Sequence, residues 1–315
     1  MAKSEINSHT PIVGIHHIGI VAHDVPALAR FHACAAGLQA WHALDAVGLP
    51  GEGVALAGPN AGLRLLAGGA PAQHRPVSEA GITHLCLQSP AIDALLAAFA
   101  GAGATFHAPP VDLGTGFIYS YPRDPEHNVT ELEGVLRVWD EPQPWIAHVN
   151  IACADLGAQS VFYAALFGTQ AALSPRFARN ERLDRLAALP GVELCMGWVS
   201  AGNLQVELIR YTQPAAAATT ACSTRRATGA SGHAYIALEV DDLDAACAHL
   251  TSCGGALAHG AQPTGMATAT DPEGNALWLL ARAHLDRHGA SITTLSQPDI
   301  TARFAAAREQ RQGTA

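Results

Sequence analysis

Four stretches of alternating apolar character each open on a residue that could do chemistry. They are HIGIVAHDVPALARFHACAAG from His17, HLCLQSPAIDALLAAFAGAGA from His84, HVNIACADLGAQSVFYAALFG from His148 and YIALEVDDLDAACAHLTSCGG from Tyr235. An imidazole can hold a divalent metal or carry a proton, and a carboxylate can do either. Carboxylates follow at a distance, Glu131 in DPEHNVTEL and Glu207 in LQVELIRY. Taken singly, a histidine at the start of a strand is more often structural or surface-facing than a ligand. The weight therefore rests on how these stretches are related.

They are repeats of one another. The segments from His17 and His148 align without a gap at an offset of 131 residues, matching Asp24 with Asp155, Phe31 with Phe162 and Gly37 with Gly168. The segments from His84 and Tyr235 align likewise, matching Asp93 with Asp244 and Gly103 with Gly254. DPEHNVTEL from Asp124 matches DPEGNALWL from Asp271. Each segment reads as a strand, a turn bearing Asp and an amphipathic helix, followed by short strands. Four units result, spanning about 12–68, 81–136, 145–211 and 232–282. WDEPQP, from Trp139 to Pro144, reads as a linker, and the small, alanine-rich stretch from Tyr211 to Gly232 as a loop. The expected organisation is a tail over 1–11, a first domain over 12–138, the linker over 139–144, a second domain over 145–283, and a tail over 284–315 with a helix near Ile300 to Arg311.

Strand alternation sorts the side chains by face. Ile18 and Ile20 oppose His17 and Gly19. Leu85 and Leu87 oppose His84, Cys86 and Gln88. Val149 and Ile151 oppose His148 and Asn150. The aliphatic faces should pack on the helices, leaving the histidine faces to line the concave side of a curved sheet. On the same rule His16 points away from His17 and reads as a strand-end residue. DPEHN and DPEGN read as turns before a closing strand, with Asp and Asn supplying local hydrogen bonds.

Composition narrows the class. Apolar residues make up 49% of the 315 and charged residues only 14%, a globular balance. A net charge of -9 without a basic stripe argues against a nucleic-acid partner. No apolar run approaches the roughly 18 residues of a membrane span, and MAKSEINSHTPIV lacks the apolar core of a secretory signal. The seven cysteines form no CxxC pair. Together these point to a cytoplasmic protein with reduced thiols and no membrane partner.

With its strand-opening histidines, four βαβββ units and closing DPxxNxxEL, the chain resembles the vicinal-oxygen-chelate superfamily over roughly residues 12–282. Glyoxalase I, epimerases, fosfomycin-resistance proteins and extradiol dioxygenases belong to that superfamily. The resemblance implies an α+β fold of two domains, each a curved mixed sheet enclosing a concave site. It also implies metal ligands at four equivalent positions, two on opening strands and two on closing strands. If adjacent units pair, the N-terminal set is His17, Arg64, His84 and Glu131. His17, His84 and Glu131 would then hold the metal, and Arg64 would bind a substrate carboxylate or phosphate. The C-terminal set would be His148, Glu207, Tyr235 and Trp278, too poor in ligands for a site. If instead the second unit pairs with the third, His84, Glu131, His148 and Glu207 form a four-ligand set of glyoxalase type, leaving His17, Arg64, Tyr235 and Trp278 together. His84 and Glu131 belong to the site under both pairings. Glu133 shares the face of Glu131, but the NxxEL register selects Glu131.

The adjacent pairing, with two histidines and one carboxylate, suits Fe(II) with open positions; Mn(II), Ni(II), Co(II) or Zn(II) are alternatives. The activity it implies is ring cleavage of a catecholic aromatic with O2. Tyr121, ten residues before Glu131, matches the tyrosine of the extradiol signature and would assist proton transfer. The sequence departs from that signature at Ser120 and His127, and in lacking a histidine over Asp112 to Gly114. The alternatives are a lyase, isomerase or epimerase using the metal as a Lewis acid, and a non-catalytic protein that sequesters an aromatic ligand. The substrate expected is a small aromatic or acyl compound, and the protein is expected to be a homo-oligomer.

Overall fold

The computed structural model describes residues 10–71, 73–135, 143–214, 230–262 and 264–312. Most of the linker Trp139–Pro144 and of the alanine-rich stretch between Tyr211 and Gly232, with Cys222, lie outside the described residues. Unit one comprises β1 (Ile12–Ala22), α1 (Val25–Ala36), β2 (Gln39–Ala40), α2 (His42–Asp45), β3 (Gly53–Ala57) and β4 (Gly62–Ala67). Unit two comprises β5 (Gly81–Ser89), α3 (Ile92–Gly101), β6 (Thr105–Phe106), β7 (Val111–Asp112), β8 (Ile118–Ser120), β9 (Pro122–Arg123) and β10 (Val129–Gly134). Unit three comprises β11 (Trp145–Ala152), α4 (Leu156–Phe167), β12 (Ala171–Leu173), α5 (Glu181–Ala187), β13 (Glu193–Ser200) and β14 (Gln205–Gln213). Unit four comprises β15 (Gly232–Val240), α6 (Leu243–Ser252), β16 (Ala256–His259), β17 (Met266–Thr270) and β18 (Ala276–Ala281); α7 (Arg282–Asp286) and α8 (Ile300–Gln312) follow. No helix among the described residues is long and apolar enough to cross a membrane.

The repeat positions punctuate these elements. Asp24 and Asp155 cap α1 and α4 by accepting from the amides of Ala27 and Ala158, and Gly37 and Gly168 end the two helices at φ 69 and 63°. A left-handed backbone costs glycine nothing. Asp124 accepts from the amides of Glu126 and Asn128, and Asp271 from those of Glu273 and Asn275, so both DPExN segments are side-chain-locked turns.

Strand pairing corrects the expected architecture. One sheet runs β16-β17-β18-β15-β1-β4-β3-β2 and joins units four and one; the other contains β12-β13-β14-β11-β5-β10-β8-β7 and joins units three and two. Both are open ladders. Neither is a curved sheet enclosing a concave site within one contiguous half. The reason is the use of backbone donors and acceptors. β1 pairs antiparallel with β15 on one edge and parallel with β4 on the other, so no edge remains for β5. β5 pairs instead with β11 and β10.

Adjacent units meet through turns. Glu126 of unit two accepts from the amides of His23 and Asp24 in unit one at 2.9 and 2.6 Å. Glu273 of unit four accepts from those of Ala154 and Asp155 in unit three at 3.0 and 2.8 Å. The aliphatic faces of both sheets, including Ile18, Leu85, Val149 and Ile236, share one apolar core.

The central strand pairs are bulged. Between paired positions His16, Thr83, Ala147 and Ala234 are left over on the four opening strands, and Val13 is left over as well on β1. The first four directly precede His17, His84, His148 and Tyr235, and a bulge re-aims the side chain it carries. His16 therefore does not follow the alternation rule. Its Nδ1 lies 2.8 Å from Nδ1 of His17, its Nε2 lies 2.7 Å from the carbonyl of Ala290, and its ring stacks on Trp41.

Two buried asparagines bind the strands beside these bulges. Asn203 accepts from the amide of Ile15 at 3.0 Å and donates to the carbonyls of Ile15 and Asn60 at 2.7 and 2.8 Å. Asn60 accepts from the amide of Ile146 at 3.1 Å and donates to the carbonyls of Ile146 and Asn203 at 2.7 and 2.8 Å. Each asparagine thus serves the opening strand of the other unit. In Asn203→Ala the amide of Ile15 and two carbonyls lose these partners inside the fold. At about 1–3 kcal/mol per unsatisfied buried group, a loss of about 3 kcal/mol or more is expected, read as a lower urea midpoint at unchanged slope.

Candidate metal centre

The β5 and β11 ladder brings the chemistry together. His148 pairs with Cys86 and His84 with Asn150 across it, while Glu131 lies beside Cys86 on β10 and Glu207 beside Asn150 on β14. Paired residues project to the same face of a sheet, so these side chains share one face. Ligand atoms of His84, Glu131, His148 and Glu207 all lie within 4.8 Å of one another. Nε2 of His84 is 3.2 Å from Glu131 Oε2 and 3.6 Å from Glu207 Oε2; Nε2 of His148 is 2.9 and 3.3 Å from the same two atoms. All four residues are at least 96% buried.

Their electrostatics fit a divalent ion. Burial opposes charge on His84, but its hydrogen bonds to Glu131 and Glu207 outweigh that and raise its pKa. Burial also opposes charge on His148, yet the neighbouring Cys86 sulfur and Glu207 carboxylate carry it well above the ordinary value. Glu131 is held below the usual carboxylate range, burial being overcome by hydrogen bonds from His148 and His84. Glu207 is held well below it, burial being overcome by the charge and hydrogen bond of His148. The metal-free cluster thus favours protonated imidazoles against ionised carboxylates. Exchanging two imidazole protons for one doubly charged ion conserves its charge, and nitrogen and carboxylate oxygen are donors that first-row divalent metals accept.

Tyr121 and Tyr211 stand beside the cluster, in a buried apolar group with Val111, Val129, Leu186 and Leu194. Tyr121 lies 5.3 Å, centroid to centroid, from the ring of His84. Burial, reinforced by the charge of Glu131, keeps its hydroxyl protonated well above the ordinary value. α5 of unit three reaches over unit two, where the carbonyl of Leu186 accepts from His107 Nδ1 at 3.0 Å and Arg182 donates to the carbonyl of Asp112 at 2.7 Å.

Comparison with known proteins agrees with this geometry. Two family models match, over residues 14–132 and 147–270, and both describe the Glyoxalase/Bleomycin resistance protein/Dioxygenase superfamily. The chain belongs to that superfamily. No curated protein matches it. Among solved structures, glyoxalase I from Zea mays is similar at 16% identity and TM-score 0.62, covering 88% of this chain and 95% of that one. A protein from Bacillus subtilis, provisionally described as a dioxygenase, is similar at 13% identity and TM-score 0.57, covering 90% of each chain. These two likenesses are of fold.

Within this superfamily fold, the residues expected from the sequence separate. His84 and Glu131 lie in the cluster, with His148 and Glu207 from unit three. His17 and Arg64 lie in the other sheet, with Tyr235 and Trp278 at the matching positions. There His17 Nε2 is 3.0 Å from the hydroxyl of Tyr235, and Tyr235 stacks on Trp278 at 3.9 Å. Gly19 makes room for that stack, since a Cβ there would sit 1.9 Å from the Tyr235 ring. Arg64 donates to the carbonyls of Leu49, Pro50 and Gly51 and so closes a loop of its own unit. Burial holds both His16 and His17 below their ordinary values. With both rings neutral, His16 Nε2–H donates to Ala290 and His17 Nδ1–H to His16, leaving His17 Nε2 to accept from Tyr235.

Sequence reasoning did not single out Thr83 or Asn150. The hydroxyl of Thr83 is 3.0 Å from His84 Nδ1 and donates to Asn150 Oδ1 at 2.5 Å, and Asn150 Nδ2 donates to Glu207 Oε2 at 2.9 Å. Asn150 shares the face of His148, which was a usable signal; Thr83 reaches that face through its bulge.

His84→Ala and His148→Ala are each expected to lose a bound divalent ion, while His17→Ala keeps it, as read by metal mass spectrometry of the purified proteins. Because contact with the carboxylates favours protonation of both imidazoles in the metal-free cluster, metal binding is expected to release protons. Affinity should therefore fall as pH drops through their raised values, with proton release visible calorimetrically in buffers of differing ionisation enthalpy.

Proposed function

We propose that this protein is a divalent-metal-dependent lyase or isomerase of the glyoxalase and epimerase kind. Its substrate would be a small molecule with an acidic C–H next to a carbonyl. The observation that carries this reading is the convergence of two imidazoles and two carboxylates from units two and three. That set accommodates Mn(II), Fe(II), Co(II), Ni(II) or Zn(II). It favours this chemistry over ring cleavage, whose three-ligand reading depended on His17 joining His84 and Glu131. The bound ion would supply a Lewis acid for negative charge developing on a substrate oxygen.

The remaining work falls to the chain. Both carboxylates meet the two histidines through Oε2, and Glu207 Oε2 is tethered further by Asn150. Glu131 is therefore the carboxylate we assign to moving a proton between neighbouring substrate carbons. Tyr121, kept protonated, is a donor to a substrate oxygen and would orient it. Val111, Val129, Leu186 and Leu194 exclude water from the same side, which strengthens each of these contacts.

The test is solvent deuterium exchange, followed by NMR without O2, on a panel of small α-hydroxy and α-keto carbonyl compounds with Zn(II)-, Co(II)- or Ni(II)-loaded protein. Exchange at the carbon beside the carbonyl is expected, falling at least about 100-fold in Glu131→Gln. Tyr121→Phe should lower kcat/KM by about tenfold, the scale of one lost hydrogen bond. Consumption only with Fe(II) and O2, without exchange, would overturn the reading.

A further inference from the structure

We infer that Thr83 and Asn150 form a positioning relay that joins the two halves of the metal centre, setting the tautomer of His84 from the carboxylate of Glu207. The inference rests on the cluster being a metal site, and its logic runs through hydrogen-bond direction. An amide nitrogen only donates, so Glu207 Oε2 is the acceptor in its contact with Asn150. Asn150 turns its amide nitrogen toward Glu207 at 2.9 Å, which aims Oδ1 at Thr83. Oδ1 also only accepts, so the single hydroxyl proton of Thr83 goes to it, across 2.5 Å. Thr83 has no proton left for His84. The 3.0 Å contact between Thr83 Oγ1 and His84 Nδ1 therefore requires the proton on Nδ1. The neutral imidazole then presents the lone pair of Nε2 to the cluster. A ligand of unit two is thereby oriented by a ligand of unit three, through one residue from each.

The relay occupies one quarter of the molecule. Around His148 the positions equivalent to Thr83 and Asn150 are Ala147 and Cys86, so the thiol of Cys86 is the polar neighbour there. In the other sheet the bulge residues are His16 and Ala234, and the positions equivalent to Asn150 are Gly19 and Ala237. A residue that served only the fold would recur where the bulge recurs. A hydroxyl and an amide occur together only beside His84.

Thr83→Val keeps the shape and removes the hydroxyl; Thr83→Ser keeps the hydroxyl; Asn150→Ala removes the middle of the relay. Zn(II) affinity would be measured by chelator competition, and the Co(II) absorption spectrum recorded for each. The metal-free proteins would be examined by 15N-resolved imidazole NMR at alkaline pH, where the rings are neutral. The expected result is a 10- to 100-fold loss of Zn(II) affinity in Thr83→Val and Asn150→Ala, the scale for residues that orient metal ligands, with an altered Co(II) spectrum and Thr83→Ser close to wild type. In metal-free wild type and Thr83→Ser, His84 should carry its proton on Nδ1; in Thr83→Val it should move to Nε2, toward Glu131. Wild-type metal affinity in Thr83→Val, or an Nδ1 proton that does not depend on Thr83, would overturn the relay. Failure of wild type itself to bind metal would instead sink the proposed function, and the NMR readout would still decide the relay.

Discussion

The opening strands β1 and β11 are joined to each other by side-chain amides, without a ladder between them. A bulged strand leaves backbone groups that its neighbour does not meet, and inside a protein such groups must find partners. Asn60 and Asn203 supply them reciprocally, each reaching the residue before a bulge on the other unit's strand. The arrangement fixes where the two sheets meet and where the bulges fall. The bulges in turn decide which side chains stand next to His17, His84, His148 and Tyr235. The placement of His16 before His17 and of Ala147 before His148 goes with this backbone accounting.

The centre illustrates how buried charge is tolerated. Four ionisable residues within 4.8 Å of one another would be costly to desolvate one by one. They persist as a balanced group, with both imidazoles raised and both carboxylates lowered in pKa by mutual contact. The other sheet meets the same problem differently. Its matching positions hold neutral His17, a stacked Tyr235 and Trp278, and an Arg64 occupied by backbone carbonyls. One sheet keeps polar groups for exchange with a ligand, and the other satisfies them within the protein.

Much of this was legible in the sequence, because local rules govern it. The four-fold repeat, the capping Asp24 and Asp155 and the DPExN turns follow from periodicity and turn chemistry, and the candidacy of His84 and Glu131 follows from the family resemblance laid over that repeat. The partner of unit two was not legible, because units one and three offer β5 equally plausible edges. Only the full ladder of β1 with β15 excludes one of them. His16 was misread because alternation assumes an unbroken period of two, and a bulge breaks it. Arg64 was read by analogy with a ligand position, and its hydrogen bonds to the carbonyls of Leu49 to Gly51 are contacts that no spacing rule reports. A signal for the asparagines did exist: Asn60 and Asn203 each stand four residues before a closing-strand position, Arg64 and Glu207.

The crossing of sheet and sequence has a consequence for how such a molecule can change over generations. Units one and two are clasped by Glu126, units three and four by Glu273, yet each sheet takes one unit from each half. A pair of identical two-unit chains assembled this way would carry every substitution twice, once in each sheet. Damage to one centre would be damage to both. A single chain spanning four distinct units escapes that coupling. In this chain one sheet gathers His84, Glu131, His148 and Glu207, while the matching positions of the other hold His17 against a Tyr235 stacked on Trp278.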